Sequence, residues 1–383
     1  MNLKVLMVCS QYPPVYGGAG QQASLLAEHL HRKGWRVAVV TLDQLSKGSS
    51  IDGGFKVRRV SCLSGRAGRL ARGVSTIGLG LAAAWTVLRD RPHVVHIHGS
   101  YWWAIPPAVL GRMLRKRVVV KVTRDGEDDP RTVHAKRVGR MPVGMLYALA
   151  FRSANKIVFL NDSGFRDALG YGYAGKAIRM FNGVDSKKLT RTIKRRTSAR
   201  SILGVHQESI IVLFVGYLAP HKGVLDLLDA WPAVEDEFPN AELWLVGPGS
   251  GFYRELSESV DNEMEVLRNV GYSVKAFGHV PAQQMPQYYW AADIFTLPSY
   301  REGMPNSLAE AMVAGCTPVA TKIPGIVDIC PQDYRLLVPP GDSRLLAAAL
   351  QDAIKNREPI SGEHLRKLDI FTVTDDYLEL YNG

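Results

Sequence analysis

One pattern constrains this chain more than any other, and it occurs twice. Short runs of consecutive apolar residues are each followed by a glycine-containing turn and a helix-length amphipathic stretch. Lys4–Cys9 reads KVLMVC, and Ser209–Val215 reads SIIVLFV. Strands that are apolar at nearly every position must be covered on both faces, which is the condition of parallel sheets with crossover helices. In the first half a helix from about Gln21 to Lys33 is stopped by Gly34, and strands follow at Arg36–Leu42, Val94–His98, Val118–Val122 and Lys156–Leu160. The pattern restarts at Ser209–Val215, with a helix near Val224–Glu237 and strands at Glu242–Val246, Ser273–Phe277 and Ile294–Leu297. This alternation predicts two α/β units, each a doubly wound, mostly parallel sheet. The 383 residues also exceed what one core ordinarily supports. Between the halves, Lys187–Arg200 is basic with little apolar content and reads as a linker or exposed helix. Asp369–Tyr381 is amphipathic and reads as a terminal helix, and no repeat of 20–50 residues is visible.

Charge is distributed unevenly. Residues 1–185 carry 28 Lys and Arg against 11 Asp and Glu, 186–200 add seven basic residues and no acid, and 201–383 carry 12 against 25. The front half therefore suits an anionic partner and the back half does not. Nucleic acid is a poor candidate because no binding motif accompanies the charge. Arg66, Arg69 and Arg72 precede the apolar stretch Val74–Leu88, and Arg112, Arg115, Lys116 and Arg117 follow Trp102-Trp103. Basic residues beside an apolar helical face suit a membrane interface, although a core helix with solvated arginines has the same composition. The stretch is shorter than the roughly 20 residues of a spanning helix. Cys9, Cys62, Cys316 and Cys330 show neither metal nor disulfide spacing, which suits a reducing cytoplasm. MNLKVLMVC is too short for a signal peptide.

Three segments carry chemistry. In EGMPNSLAE, Glu302 and Glu310 bracket a turn shaped by Gly303 and Pro305 that leads into a helix over Ser307–Val313. The first-turn N–H groups and the helix dipole make an anion site, with one carboxylate at its mouth and the other farther along one side. Hydroxyls, diphosphate and ribose of a sugar nucleotide fit that layout; two solvated glutamates on a capped surface helix are the plain alternative. In PPVYGGAGQQA, Gly18-x-Gly20-x-x-Ala23 matches a dinucleotide fingerprint, and Asp43 lies downstream. Six residues from Gln11 to Tyr16 separate the strand from the glycines, so the tight turn of that fingerprint is absent. The loop still brings backbone N–H groups to a helix start. In GYLAPHKG, Lys222 stands at a strand's carboxyl end, where a lysine is a point charge for a diphosphate.

Taken together, PPVYGG, HRKGWRV, VVHIHGS, FNGVD, VGYLAPHKG, LWLVGPGS, FGHV, PSYREGMPNSLAEAMVAGCTPVATKIPGIVDI and LLVPPGD span nearly the whole chain. In order and spacing they resemble the family-four retaining glycosyltransferases of the GT-B fold. The resemblance implies two Rossmann-like domains facing across a cleft: an acceptor-binding domain over 1–183, a nucleotide-sugar-binding domain over 184–368, and a helix over 369–383 that packs back on the first. It implies that Lys222 neutralises the donor diphosphate, that Glu310 accepts from the ribose hydroxyls, and that Glu302 holds hydroxyls of the transferred sugar. Gly303, Met304, Pro305, Asn306 and Ser307 would line sugar and phosphate. Gly18 would close over the phosphates, and His279 and Val280 would hold the base. Gly17, His98 and Asp125 fall on the acceptor side.

Two positions depart from the family pattern. Tyr217 stands where an arginine often shares the diphosphate, which could shift that load to Arg301. KVTRDGEDDP places Arg124 and Asp125 near a site where the family often has a histidine touching the transferred sugar. Glu127-Asp128-Asp129 reads as a loop carboxylate cluster, because a GT-B site needs no metal. His98 at its strand end faces the ligand or is a satisfied structural histidine. The implied activity is hexosyl transfer from a nucleoside-diphosphate sugar, with a UDP-sugar favoured and neither metal nor cofactor. The acceptor would be a hydroxyl of a carbohydrate or lipid-linked molecule in cell-surface polysaccharide or glycolipid synthesis, and the enzyme would be cytoplasmic or peripheral on the inner face of the plasma membrane. A phosphorylase of this architecture would carry a cofactor-lysine segment that is not found here. A catalytically silent sugar-nucleotide-binding protein remains the alternative.

Overall fold

The structure is a computed structural model that describes residues 3–15, 17–45, 47–62, 68–124, 126–249 and 254–383. The chain divides into two compact units, one formed by Met1–Gly183 with Ile370–Gly383, the other by Val184–Asp369.

In the first unit, strands β1 (Lys4–Cys9), β2 (Arg36–Asp43), β3 (Ser50–Asp52), β4 (Phe55–Ser61), β5 (Val94–His98) and β6 (Arg117–Lys121) belong to one sheet. After a small hairpin of β7 (Arg137–Val138) and β8 (Met141–Pro142), β9 (Lys156–Phe159) and β10 (Ala177–Arg179) complete it. The order is β10-β9-β6-β5-β1-β2-β4-β3, parallel except for the edge strand β3. Alternate residues of each strand feed two separate cores. Leu6 and Val8 face helices α2 (Gly68–Asp90) and α3 (Ile105–Met113), with Leu79, Ala83, Val87 and Ala108. Val5, Met7 and Cys9 face α1 (Gly18–Arg32) and the C-terminal helix Ile370–Asn382, with Leu26, Leu30, Tyr377 and Tyr381. Double coverage is why these strands read as continuous apolar runs.

Helix α1 begins at Gly18 rather than near Gln21, because the loop after β1 packs tightly on it. A Cβ on Gly20 would lie 2.6 Å from the Gln11 carbonyl oxygen, so only glycine permits this contact. Two side chains pin the segment ending the unit. Gln22 donates to the Gly183 carbonyl (2.9 Å) and accepts from its N–H (3.0 Å), and Lys121 Nζ donates to Asn182 Oδ1 (2.7 Å).

The second unit holds a six-stranded parallel sheet in the order β13-β12-β11-β14-β15-β16. Its strands are β11 (Ile210–Val215), β12 (Ala241–Val246), β13 (Val274–Gly278), β14 (Ile294–Leu297), β15 (Thr317–Thr321) and β16 (Leu337–Val338). From β11 the chain winds outward through β12 and β13, then returns to place β14 on the other side of β11. The β11/β14 boundary is thus the topological switch point, where ligands bind at the strands' carboxyl ends.

The segment Lys187–Arg200 is helical rather than a linker, and most of it is at least partly exposed. Ser186–Leu189 and Ile193–Ile202 are helical, and Arg200 is fully buried. Its guanidinium reaches Asp293 Oδ2 (2.7 Å) and the carbonyls of Ala291, Gln207 and Ser209. Arg196 and Arg357 each approach Asp293 Oδ1 at 2.8 Å. A basic segment that looks solvated by composition is held instead by a buried carboxylate 93 residues away.

Candidate active site

The switch point of the second unit brings together two segments 80 residues apart. After β11 the chain makes a short 3-10 turn, Pro220–Lys222, and reverses at Gly223 with φ 65°. A Cβ at that glycine would lie 2.1 Å from the Pro298 carbonyl oxygen, so the turn can lie against the end of β14 only with glycine there. The Tyr300 N–H donates to the His221 carbonyl (2.8 Å) and joins the two loops. Lys222 Nζ then stands 2.6 Å from Glu302 Oε1. Ser299, fully buried, donates from Oγ to the same oxygen (2.7 Å), and the Thr321 hydroxyl in turn donates to the Ser299 carbonyl. Glu302 is therefore held by two donors before any ligand arrives.

The helix beyond this pair is Asn306–Val313. Pro305 is its N-cap, one position earlier than a first-turn residue, and makes no side-chain cap bond. Gly303, Met304 and Ser307 lie at the same end, with Met304 buried. Glu310 projects from the helix to accept from the Tyr289 hydroxyl at 2.8 Å. Burial pushes its carboxyl up to about 7, and the Tyr289 hydrogen bond only partly opposes this. On the other side of β11, Gly216 N–H donates to the Val246 carbonyl (2.9 Å) and Gly247 N–H to the Gly278 carbonyl (2.8 Å). These bonds align the ends of β11, β12 and β13. His279, exposed, and Val280, buried, follow directly. Tyr217 and Arg301 lie in the two loops that carry Lys222 and Glu302, and Arg301 is exposed.

The remaining candidates lie in the first unit. Gly17 is the N-cap of α1, its carbonyl accepting from Gln21 N–H (3.1 Å), and Gly18 opens the helix. His98 is neither at a surface nor satisfied. It is buried, its ring lies 4.2 Å from that of His96, and neither ring nitrogen makes a hydrogen bond. Burial and the neighbouring Lys121 hold it neutral, well below the usual histidine range. Asp125 lies outside the described residues. The adjoining carboxylates all have structural employment. Asp128 accepts from Ser100 N–H (3.1 Å), Thr123 N–H (3.0 Å), Thr123 Oγ1 (3.0 Å) and Arg124 N–H (2.8 Å), tying the loop after β5 to the loop after β6. Asp129 caps a short helix through Thr132, and Glu127 accepts from Tyr101 and Arg124. Tyr289 and Ser299 were not singled out by sequence reasoning, and only their hydrogen bonds to Glu310 and Glu302 reveal them.

Comparison with known proteins agrees with this geometry. A Glycosyl transferase 4-like domain model matches residues 17–181, and a Glycosyl transferases group 1 model matches 209–356. The chain is 26% identical to D-inositol 3-phosphate glycosyltransferase of Corynebacterium urealyticum, across 81% of this chain and 76% of that protein. It is 27% identical to TuaC of Bacillus subtilis, named for teichuronic acid biosynthesis; that match spans 44% of this chain and 39% of TuaC. Among solved structures, Anabaena HepE in complex with UDP and glucose superposes with a TM-score of 0.76 at 18% identity, covering 99% of both chains. The chain belongs to the group 1 glycosyltransferases, with the two Rossmann-like units of the GT-B fold.

Proposed function

We propose that this chain transfers a hexosyl group from a nucleoside-diphosphate sugar, a UDP-sugar being favoured, to an acceptor hydroxyl with retention of configuration and without a metal. The observation that carries this reading is the Lys222–Glu302 contact at the switch point, beside the N-terminus of the Asn306–Val313 helix. A lysine and a helix N-terminus together suit a diphosphate. When the donor enters, its diphosphate competes for the Lys222 ammonium. Glu302, still oriented by Ser299, becomes available to the sugar hydroxyls. Glu310, once ionised, accepts from the ribose hydroxyls while Tyr289 fixes its second oxygen. Negative charge grows on the departing diphosphate, and Lys222 stabilises it in place without reorganisation. The departing phosphate takes the acceptor proton.

The solved HepE complexes with UDP, glucose and UDP-glucose support the donor class. Relatives named for teichuronic acid biosynthesis and for phosphatidyl-myo-inositol mannosyl transfer support an acceptor in polysaccharide or glycolipid synthesis. The basic first unit is the acceptor-binding part in this reading, with Gly17 and Asp125 assigned to the acceptor and Gly18 to the phosphates. Release of nucleoside diphosphate from a panel of UDP-, GDP- and dTDP-sugars tests it. Turnover of one nucleotide class is expected; binding without turnover of any donor would mark the chain as a silent sugar-nucleotide-binding protein.

A further inference from the structure

Helix α2 is apolar on two opposite faces. Leu79, Ala83 and Val87 enter the core against the sheet. On the other side Val74, Ile77, Leu81, Trp85 and Leu88 are between 47% and 61% exposed. At about 100° per residue these five fall within an arc of roughly 80°, and they run for about 21 Å along the helix. The polar residues nearby turn inward: Ser75 and Thr86 are buried, and Thr86 Oγ1 donates to the Ala82 carbonyl (2.7 Å). No charged residue occurs from 73 to 88. An unbroken row of this size, with a half-exposed tryptophan in it, marks a surface that something covers.

The charges around the row indicate what covers it. Residues 63–117 contain nine Lys and Arg and a single acid, Asp90. Arg89 in the last turn of α2 and Arg91 just beyond the helix are both exposed. The register of β5 and β6 pairs Val94 with Arg117, which brings the segment Arg112–Arg117 to the end of the sheet where α2 runs into β5. Arg112 and Arg115 are exposed there, together with Met113 at 73% and Leu114 at 40%. A second copy is a poor occupant, since a two-fold interface sets this surface against itself and basic residues against basic residues. A nucleic acid would leave the apolar row unexplained. An amphipathic helix with a bulky apolar face and a basic border fits the headgroup region of a bilayer.

We propose that the outer face of α2, with its arginine border, docks this protein onto membranes rich in anionic phospholipid, the helix lying in the plane of the surface. Among the described residues no helix is long and apolar enough to cross a membrane, so the attachment is peripheral. The inference stands on the first unit alone and does not depend on the transfer reaction. It is tested by flotation of the full chain with vesicles of equal parts phosphatidylcholine and phosphatidylglycerol. The wild type should float with these vesicles and not with phosphatidylcholine alone. The Leu81→Glu/Trp85→Glu double variant should lose affinity by about tenfold or more, since it removes apolar insertion and adds repulsion. Both side chains are half exposed, so the variant should retain the wild-type thermal unfolding profile and donor hydrolysis. Arg89→Glu/Arg91→Glu, which leaves the apolar row intact, should weaken binding by a similar factor and serves as an independent check. Failure of the wild type to bind, wild-type affinity in both double variants, or a wild-type dimer that the first variant dissociates would overturn the proposal.

Discussion

The carboxyl of Glu310 makes the most quantitative prediction. In the unfolded chain it has an ordinary value of 4.5, whereas burial in the folded protein raises it to about 7. Between those values the folded state holds a proton that the unfolded state has lost, so stability falls as pH rises through the window and the loss is complete above about pH 7. The distance from 4.5 to about 7, at about 1.4 kcal/mol per pH unit, comes to about 3 kcal/mol. Glu310→Gln removes this loss while preserving an oxygen acceptor for the Tyr289 hydroxyl. Gln and protonated Glu should be nearly equal in stability near pH 4.5. Above pH 7.5 the variant should unfold higher by roughly 6–12 °C, at about 2–4 °C per kcal/mol for a unit of this size. Thermal unfolding of both proteins from pH 4.5 to 8.5 measures the difference directly, because other titrating groups cancel. A ribose that requires the ionised carboxylate adds a second signature: wild-type donor affinity should rise with pH up to about 7 and level off, and the variant should show weak, pH-independent binding. A melting difference that stays constant over the whole range would refute the reasoning.

Two further substitutions probe the frame that holds the site. Gly223→Ala places a Cβ 2.1 Å from the Pro298 carbonyl oxygen at a residue with φ 65°. It should cost about 1–3 kcal/mol and raise donor KM by displacing Lys222, read by chemical denaturation and steady-state kinetics; wild-type values in both would show that the loops need not touch. Arg200→Met leaves Asp293 without its buried partner and removes the donor to four carbonyls, and should cost about 3–5 kcal/mol in denaturant unfolding; a loss below about 1 kcal/mol would mean that Arg196 and Arg357 suffice.

Much of the sheet architecture is legible in the sequence because parallel strands buried on both faces announce themselves as apolar runs. Val94–His98 and Ile294–Leu297 have the same bounds in sequence and structure. What composition hides is partnership over distance. The hairpin of β3 and β4 escapes because Ser50–Asp52 is short, exposed and polar. Arg200 looks solvated until Asp293 is placed beside it. Lys222 and Glu302 can each be suspected from a local motif, but their direct contact follows only from β11 and β14 being neighbours. His98 illustrates the limit most clearly. Position at a strand end allows a ligand-facing or a satisfied histidine, and the structure shows a third state, buried without a hydrogen bond because its neighbours His96 and Lys121 find their partners elsewhere. In α2, hydropathy alone merges two faces that only exposure separates.

The central claim is that Lys222 stabilises the departing diphosphate rather than merely neutralising Glu302. Turnover of Lys222→Ala at saturating donor tests this, with Lys222→Ala/Glu302→Gln alongside to remove the carboxylate that the single variant leaves unpaired. Both variants should fall about tens- to a thousand-fold in kcat, the scale for losing an electrostatic partner of the transition state. Near-normal kcat in the single variant, or its recovery in the double variant, would contradict the account.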